Sequence, residues 1–197
     1  ITKTVLSAAL TLGLTGAVYS ADKPLMTGAS PSMLANSCAG CHGTDGASTG
    51  PSIPTIAGMS PDYFVSIMEA YKSGETQSTI MGRIARGYSD EEIKTLADYY
   101  SAKKFVAASQ KTDATLAKKG AKIHDKYCEK CHSEGGTLAE DDAGILAGQW
   151  MPYIDWTLQD VRAGKRVVDK KMVKKLKKAI EKEGDAADVR AALVNYY

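Results

Sequence analysis

The sequence predicts an all-α protein built from two tandem copies of one helical unit, and three observations carry that prediction. None of its 197 residues falls in a segment with the apolar/polar alternation of a strand. The string Cys38-Ala39-Gly40-Cys41-His42 recurs as Cys128-Glu129-Lys130-Cys131-His132, which uses all four cysteines. After each histidine the two halves run in register without a gap. Gly58 and Gly148 lie sixteen residues on, Tyr63 and Tyr153 twenty-one, Gly74 and Gly164 thirty-two. Ile56-Ala57-Gly58 also matches Leu146-Ala147-Gly148 in character. A long stretch matched at one fixed spacing marks a duplicated structural unit.

Taken in order, residues 1–20 read as an export signal: Lys3 gives a positive start, residues 5–18 are apolar, and Val18 and Ser20 stand before a cleavage point near Ala21. The run is short for a membrane span, and no later segment is apolar enough to cross a bilayer. Residues 23–32 form an extended lead-in rich in Pro, Gly and Ser. A short helix then starts at Pro31 and carries the first cysteine motif. The stretch 43–54 has the glycines and prolines of a turn-rich loop. Ser60-Pro61 is a helix start, with Ser60 as N-cap and Pro61 at the first helical position. Tyr63, Ile67 and Tyr71 then share one face. Ser89 and Glu92 form a capping box ahead of the apolar stripe Ile93, Leu96, Ala97, Tyr100. Residues 105–111 are small and polar and read as a linker, which gives a signal at 1–20, a first domain at 21–108 and a second at 109–197. Helices are expected over 114–127, within 148–164, over 170–183 with Val173, Leu176 and Ile180 facing inward, and over 185–197.

Two thiols one helical turn apart, followed at once by a histidine, form the attachment site of a c-type haem. Each thiol adds to a porphyrin vinyl group as a thioether, and the histidine supplies an imidazole to the iron. A zinc ribbon does not demand a histidine after each pair. A redox dithiol of the thioredoxin kind needs a βαβ context that is missing. Two covalent haem c groups are therefore expected, on Cys38 and Cys41 and on Cys128 and Cys131, with His42 and His132 as axial ligands. Domains of this size have thin cores, which a buried haem would supplement. The formal charge of +2 gives no reason to expect nucleic acid.

The repeat also selects the opposite ligands. Haem iron in electron-transfer proteins commonly pairs His with Met. Met59 aligns with Gln149, Met68 with Leu158, and Met151 with Pro61, so these three read as core filling. Met81 lies thirty-nine residues after His42 and Met172 forty after His132, and they are the one matched pair. Met81 and Met172 are expected on the two irons. His124 aligns with Leu34, which gives it no ligand role; it reads as a helix-surface or haem-edge residue. Tyr63, Tyr153, Trp150 and Trp156 are expected against haem or at the domain interface. The lysine-rich run over 170–182 reads as a solvated face, with partner docking or propionate binding as its other uses.

With these residues placed, the chain resembles the cytochrome subunit of flavocytochrome c sulfide dehydrogenase. The resemblance rests on Asn36-Ser37-Cys38-Ala39-Gly40-Cys41-His42-Gly43, Ser78-Thr79-Ile80-Met81-Gly82-Arg83-Ile84 and His124-Asp125-Lys126-Tyr127-Cys128-Glu129-Lys130-Cys131-His132, with Leu146-Ala147-Gly148-Gln149-Trp150 and Lys170-Lys171-Met172 adding to it. It implies two tandem cytochrome c domains, each with one covalent haem c, in the periplasm of a sulfur-oxidising bacterium. It also implies a separate FAD-containing flavoprotein partner that oxidises sulfide, and a soluble cytochrome c as acceptor. By the same analogy the first haem faces the flavin. This chain has no dinucleotide fingerprint and no spare cysteine, so a catalytic flavin site belongs on another chain. Two other readings stand beside it: a free tandem cytochrome serving a terminal oxidase, and a dihaem peroxidase or thiosulfate dehydrogenase, which needs an open iron position that two matched methionines would close.

Overall fold

A computed structural model describes residues 28–140 and 142–197. The expected signal over 1–20 lies outside the described residues. Among the described residues there is no strand, only an isolated bridge between Glu140 and Ala143.

The first half is organised around α1 (Pro31–His42), α2 (Pro61–Ser73), α3 (Met81–Ala85) and α4 (Asp90–Ser101). Local chemistry sets these bounds. Ser30 caps α1 by accepting the Met33 N–H, and Pro31 occupies its first turn. Ser60 does the same for α2, which ends at Gly74 in the left-handed conformation with φ 83°. The capping box of α4 is complete: Glu92 N–H donates to Ser89 Oγ at 3.2 Å and Ser89 N–H to Glu92 Oε2 at 2.9 Å. Leu34, Phe64, Met68, Ile93, Leu96 and Tyr100 fill the core between these helices. Tyr100 stacks on Phe64 and donates its hydroxyl to the Ala35 carbonyl at 2.8 Å, which ties α4 to α1.

The second half repeats the plan with α5 (Ala114–Tyr127), a one-turn element α6 (Ser133–Gly136), α7 (Met151–Arg162), α8 (Lys170–Glu183) and α9 (Ala186–Tyr196). Asp113 and Asp185 cap α5 and α9 through their carboxylates. Gly120 lets α5 meet α9 closely: a Cβ there would stand 2.2 Å from the Ala192 carbonyl oxygen. Ile123, Ile154, Leu158, Ala179, Val189 and Leu193 form a second, separate core.

The duplication holds down to individual backbone bonds. The Gly46 carbonyl accepts from Ile56 and Ala57 at 2.9 and 3.3 Å, and the Gly136 carbonyl accepts from Leu146 and Ala147 at 2.9 and 3.0 Å. Gly58 N–H donates to the Tyr100 carbonyl and Gly148 N–H to the Tyr197 carbonyl, at 2.8 and 2.5 Å. A Cβ on Gly46 would meet the Tyr100 ring at 2.9 Å, and one on Gly136 the Tyr197 ring at the same distance. Tyr100 and Tyr197 are therefore counterparts, although their spacing from the two motifs differs.

Two side chains depart from expectation. Val173 does not face inward: it is 44% exposed, while Leu176 and Ile180 pack on the core beside buried Ala179. His124 is not on the helix surface, being fully buried. Its Nδ1 lies 2.8 Å from the Tyr197 hydroxyl and its Nε2 bonds the Glu129 carboxylate. The cause is the chain end, where Tyr196 and Tyr197 pack their rings on the imidazole and close over it.

Candidate haem sites

Both cysteine motifs stand at the end of a helix, and both present the same pattern of access. Cys38 is half-buried and touches the first core; Cys128 is half-buried and touches the second. Cys41 and Cys131 are exposed, and none of the four forms a disulfide. In each motif one thiol is thus anchored on the protein and the other faces outward, with the imidazole of the next residue behind them.

The His42 ring is oriented from outside the motif. Its Nδ1 lies 2.9 Å from the Pro54 carbonyl, to which it donates, so Nε2 is left with its lone pair. Burial lowers the His42 pKa, partly opposed by the Pro54 bond. A neutral imidazole with one nitrogen tied to a carbonyl is the state suited to an iron ligand. The His132 pKa is lowered as well, by burial first and then by the nearby His124. Its Nδ1 is buried and has no partner among the described residues. The residue in register with Pro54 is Gly144, and its carbonyl does not bond the His132 ring, so the orienting contact of the first site is not reproduced in the second.

A carboxylate steadies the turn after the second motif. Glu129 accepts N–H bonds from Glu134 and Gly135 at 3.0 and 3.3 Å and also holds His124. Glu134 and Gly135 both have positive φ, 51° and 68°, and these bonds hold the turn in that conformation. The His124 bond leads the influences that keep the Glu129 carboxyl below its ordinary range.

Met81 opens α3 and is partly buried against the first core. Met172 lies in the first turn of α8, half-buried and outside the second core cluster. Both therefore sit at the start of the helix that follows the matched glycines 74 and 164. Met68 is buried, and Met59 and Met151 pack against their cores, which is the filling role expected of them. The residues present fit two haem groups: paired cysteines at the end of a helix, a histidine of lowered pKa after each pair, and a half-buried thioether at the start of α3 and of α8.

The seam between the halves joins residues far apart in the sequence. Gln149 bonds the Thr55 backbone, Trp150 Nε1–H donates to the Ser48 carbonyl at 3.3 Å, and Ala108 N–H donates to the Gly148 carbonyl at 2.8 Å. Arg166 reaches the hydroxyls of Tyr63 and Tyr71. Trp150 and Tyr63 thus take the interface role expected of them, whereas Trp156 is 51% exposed and does not join them. The signal for Gln149 was its mismatch with Met59: a polar residue replaces an apolar one at a repeat position, and it is buried.

Comparison with known proteins agrees with this geometry. The cytochrome c family profile matches residues 30–101. The cytochrome subunit of sulfide dehydrogenase of Chlorobaculum tepidum is 50% identical over 68 residues, which span 34% of this chain and 61% of that protein's length. Cytochrome c4 of Pseudomonas aeruginosa is 31% identical over 176 residues, 85% of each chain. Among solved structures, reduced cytochrome c4 from Pseudomonas stutzeri superposes with a TM-score of 0.70 at 27% identity, covering 84% of this chain and 94% of that one.

Proposed function

The chain belongs to the cytochrome c4 family, and from that premise we propose that it is the electron-transfer subunit of a periplasmic sulfide-oxidising complex. It is a dihaem c-type cytochrome that transfers electrons, with two covalently bound haem c groups. Each haem, when bound, supplies one iron that cycles between ferric and ferrous states and so carries one electron. We propose that Cys38, Cys41, Cys128 and Cys131 hold the haems, that His42 with Met81 and His132 with Met172 complete the two irons, and that the units divide at residues 108 and 109.

The chain's own residues do three things in this scheme. Pro54 holds the His42 ring through Nδ1, so that Nε2 would be the nitrogen available to an iron. Thr55, Gln149, Trp150 and Ser48 hold the two units in one arrangement, which keeps the distance between the two haem sites constant. Cys41 and Cys131 are exposed, so a haem held by them would have its attachment side near the surface and within reach of partners.

The observation that carries the choice of partner is the 50% identity to a sulfide dehydrogenase cytochrome subunit. Oxidation of sulfide to zero-valent sulfur releases two electrons, which an FAD on a separate subunit can accept together. Two one-electron haems on one chain then empty that flavin in successive steps and pass the electrons to a soluble cytochrome c. The 85% coverage of cytochrome c4 supports a second reading, a free-standing shuttle to a terminal oxidase. The flavin-to-haem ratio of protein purified natively from periplasmic extract separates them. One flavin per two haems, with both haems reduced by sulfide at a catalytic rate, is the expected result. A flavin-free protein whose haems sulfide reduces slowly assigns the shuttle instead.

A further inference from the structure

The seam between the two units holds a charge without a counter-charge. Arg166 follows α7, and its guanidinium donates from Nη1 to the Tyr71 hydroxyl at 3.2 Å and from Nη2 to the Tyr63 hydroxyl at 3.4 Å. Both acceptors are phenols of α2, in the other unit. Burial raises the pKa of Tyr63 and of Tyr71, so neither supplies a negative charge. Tyr153, the repeat counterpart of Tyr63, also bears on the guanidinium. Asp160 is close enough to push Tyr71 up further. Among the described residues, however, Arg166 forms no ion pair. A guanidinium carries five N–H donors, and only two of these find protein acceptors here. Arg166 is half-buried, and a charge partly withdrawn from water gains from an opposite charge that offsets its desolvation.

Its register sharpens the point. Arg166 lies thirty-four residues after His132, and the residue thirty-four after His42 is Thr76. The two matched segments pair with each other: Gln77 N–H donates to the Lys165 carbonyl at 2.8 Å and Val167 N–H to Thr76 Oγ1 at 3.1 Å. One segment brings a cation to this seam where the other brings a buried hydroxyl. The duplication makes the units alike, and Arg166 makes them electrostatically different.

We propose that Arg166 is the binding site for a haem propionate carboxylate at the seam between the units. This rests on the presence of two haem c groups, each of which carries two propionates. The planar guanidinium matches a carboxylate in a two-pronged hydrogen bond. Tyr63 and Tyr71 hold the fork in place while leaving donors for that anion. A cation paired with a propionate offsets negative charge near the iron, which favours the ferrous state. Arg166 thereby raises the potential of the haem whose propionate it holds and sets the two haems apart.

The test is redox titration of the holoprotein, after a haem assay has shown two haems per chain. A wild-type chain with fewer than two haems contradicts the dihaem reading and not this site. In Arg166→Gln one midpoint is expected to move negative by the equivalent of a roughly tenfold change in the reduction equilibrium, ~59 mV for one electron, with the other moving less. Arg166→Lys, which keeps the charge, is expected to restore most of that shift. Unchanged midpoints in Arg166→Gln, whatever its thermal stability, would reduce Arg166 to a mechanical brace and overturn the proposal. If Arg166→Gln does not assemble, redox-difference infrared spectra of wild-type protein carrying haem labelled with carbon-13 at the propionates decide the matter. A propionate band that stays ionised and shifts on reduction is expected; four carboxylate bands insensitive to redox state would overturn the proposal.

Discussion

Gln149 and Thr55 clasp each other across the two units, with Thr55 N–H donating to Gln149 Oε1 at 3.0 Å and Gln149 Nε2–H donating to the Thr55 carbonyl at 2.7 Å. Both residues are buried, so the side-chain amide acts as a two-sided plug for a backbone segment that forms no ladder of its own. Removing it leaves a buried donor and a buried acceptor without partners, at about 1–3 kcal/mol each. Gln149→Ala is expected to lose about 2–4 kcal/mol in denaturant unfolding, since neighbouring losses do not add fully. The loss should fall on the coupling between units, so the two haems, followed separately, would report split transitions where the wild type reports one. A single transition with unchanged midpoint would show that other contacts hold the seam.

The crossing of α5 and α9 depends on the missing side chain at position 120. A Cβ on Gly120 would lie 2.2 Å from the Ala192 carbonyl oxygen and 2.6 Å from the Tyr196 Cβ, and backbone cannot step aside cheaply. Gly120→Ala is expected to cost about 3 kcal/mol or more. Gly164→Ala makes the comparison: its φ is 68° but nothing lies within 4 Å, so only backbone strain of about 1–2 kcal/mol is expected. Equal losses from the two variants would contradict the close crossing.

Acid should act on α9 through its cap. Asp185 accepts N–H bonds from Asp188 and Ala187, which hold its carboxyl below the ordinary value. A carboxyl whose folded pKa is depressed adds stability above its unfolded pKa, about 3.9. That contribution fades as the pH falls through the lower, folded value. Asp185→Asn keeps a capping oxygen and removes the titration. Its thermal midpoint should therefore vary less than that of wild type between about pH 5 and pH 2. Parallel pH profiles for the two proteins would remove Asp185 from the account.

Much of this structure is written in short-range sequence. The Ser60 and Ser89 starts, the bounds 114–127 and 170–183, and the matched glycines 58 and 148 are set by neighbours within a few residues, and all appear in the structure. Long-range partners were less legible. His124 bonds Tyr197 across 73 positions, and the usable signal was its alignment with Leu34, which is itself buried. Val173 lies on the periodic apolar face of α8, but it sits in the turn before that helix reaches the core. Arg166 has no signature in the repeat, since a duplication marks positions where the halves agree and Arg166 stands where they differ. The Pro54 contact to His42 likewise has no sequence signature, since it uses a carbonyl that every residue possesses.

We propose that each unit completes its iron with one histidine and one thioether, Met81 in the first and Met172 in the second. The most direct measurement is the near-infrared sulfur-to-iron charge-transfer band of the fully oxidised holoprotein, compared with Met81→Ala and Met172→Ala. The account predicts a band in wild type that accounts for both haems, about half of which is lost in either variant, with the remaining haem unaffected. A full-strength band in either variant, or a wild-type band that accounts for one haem alone, would contradict it.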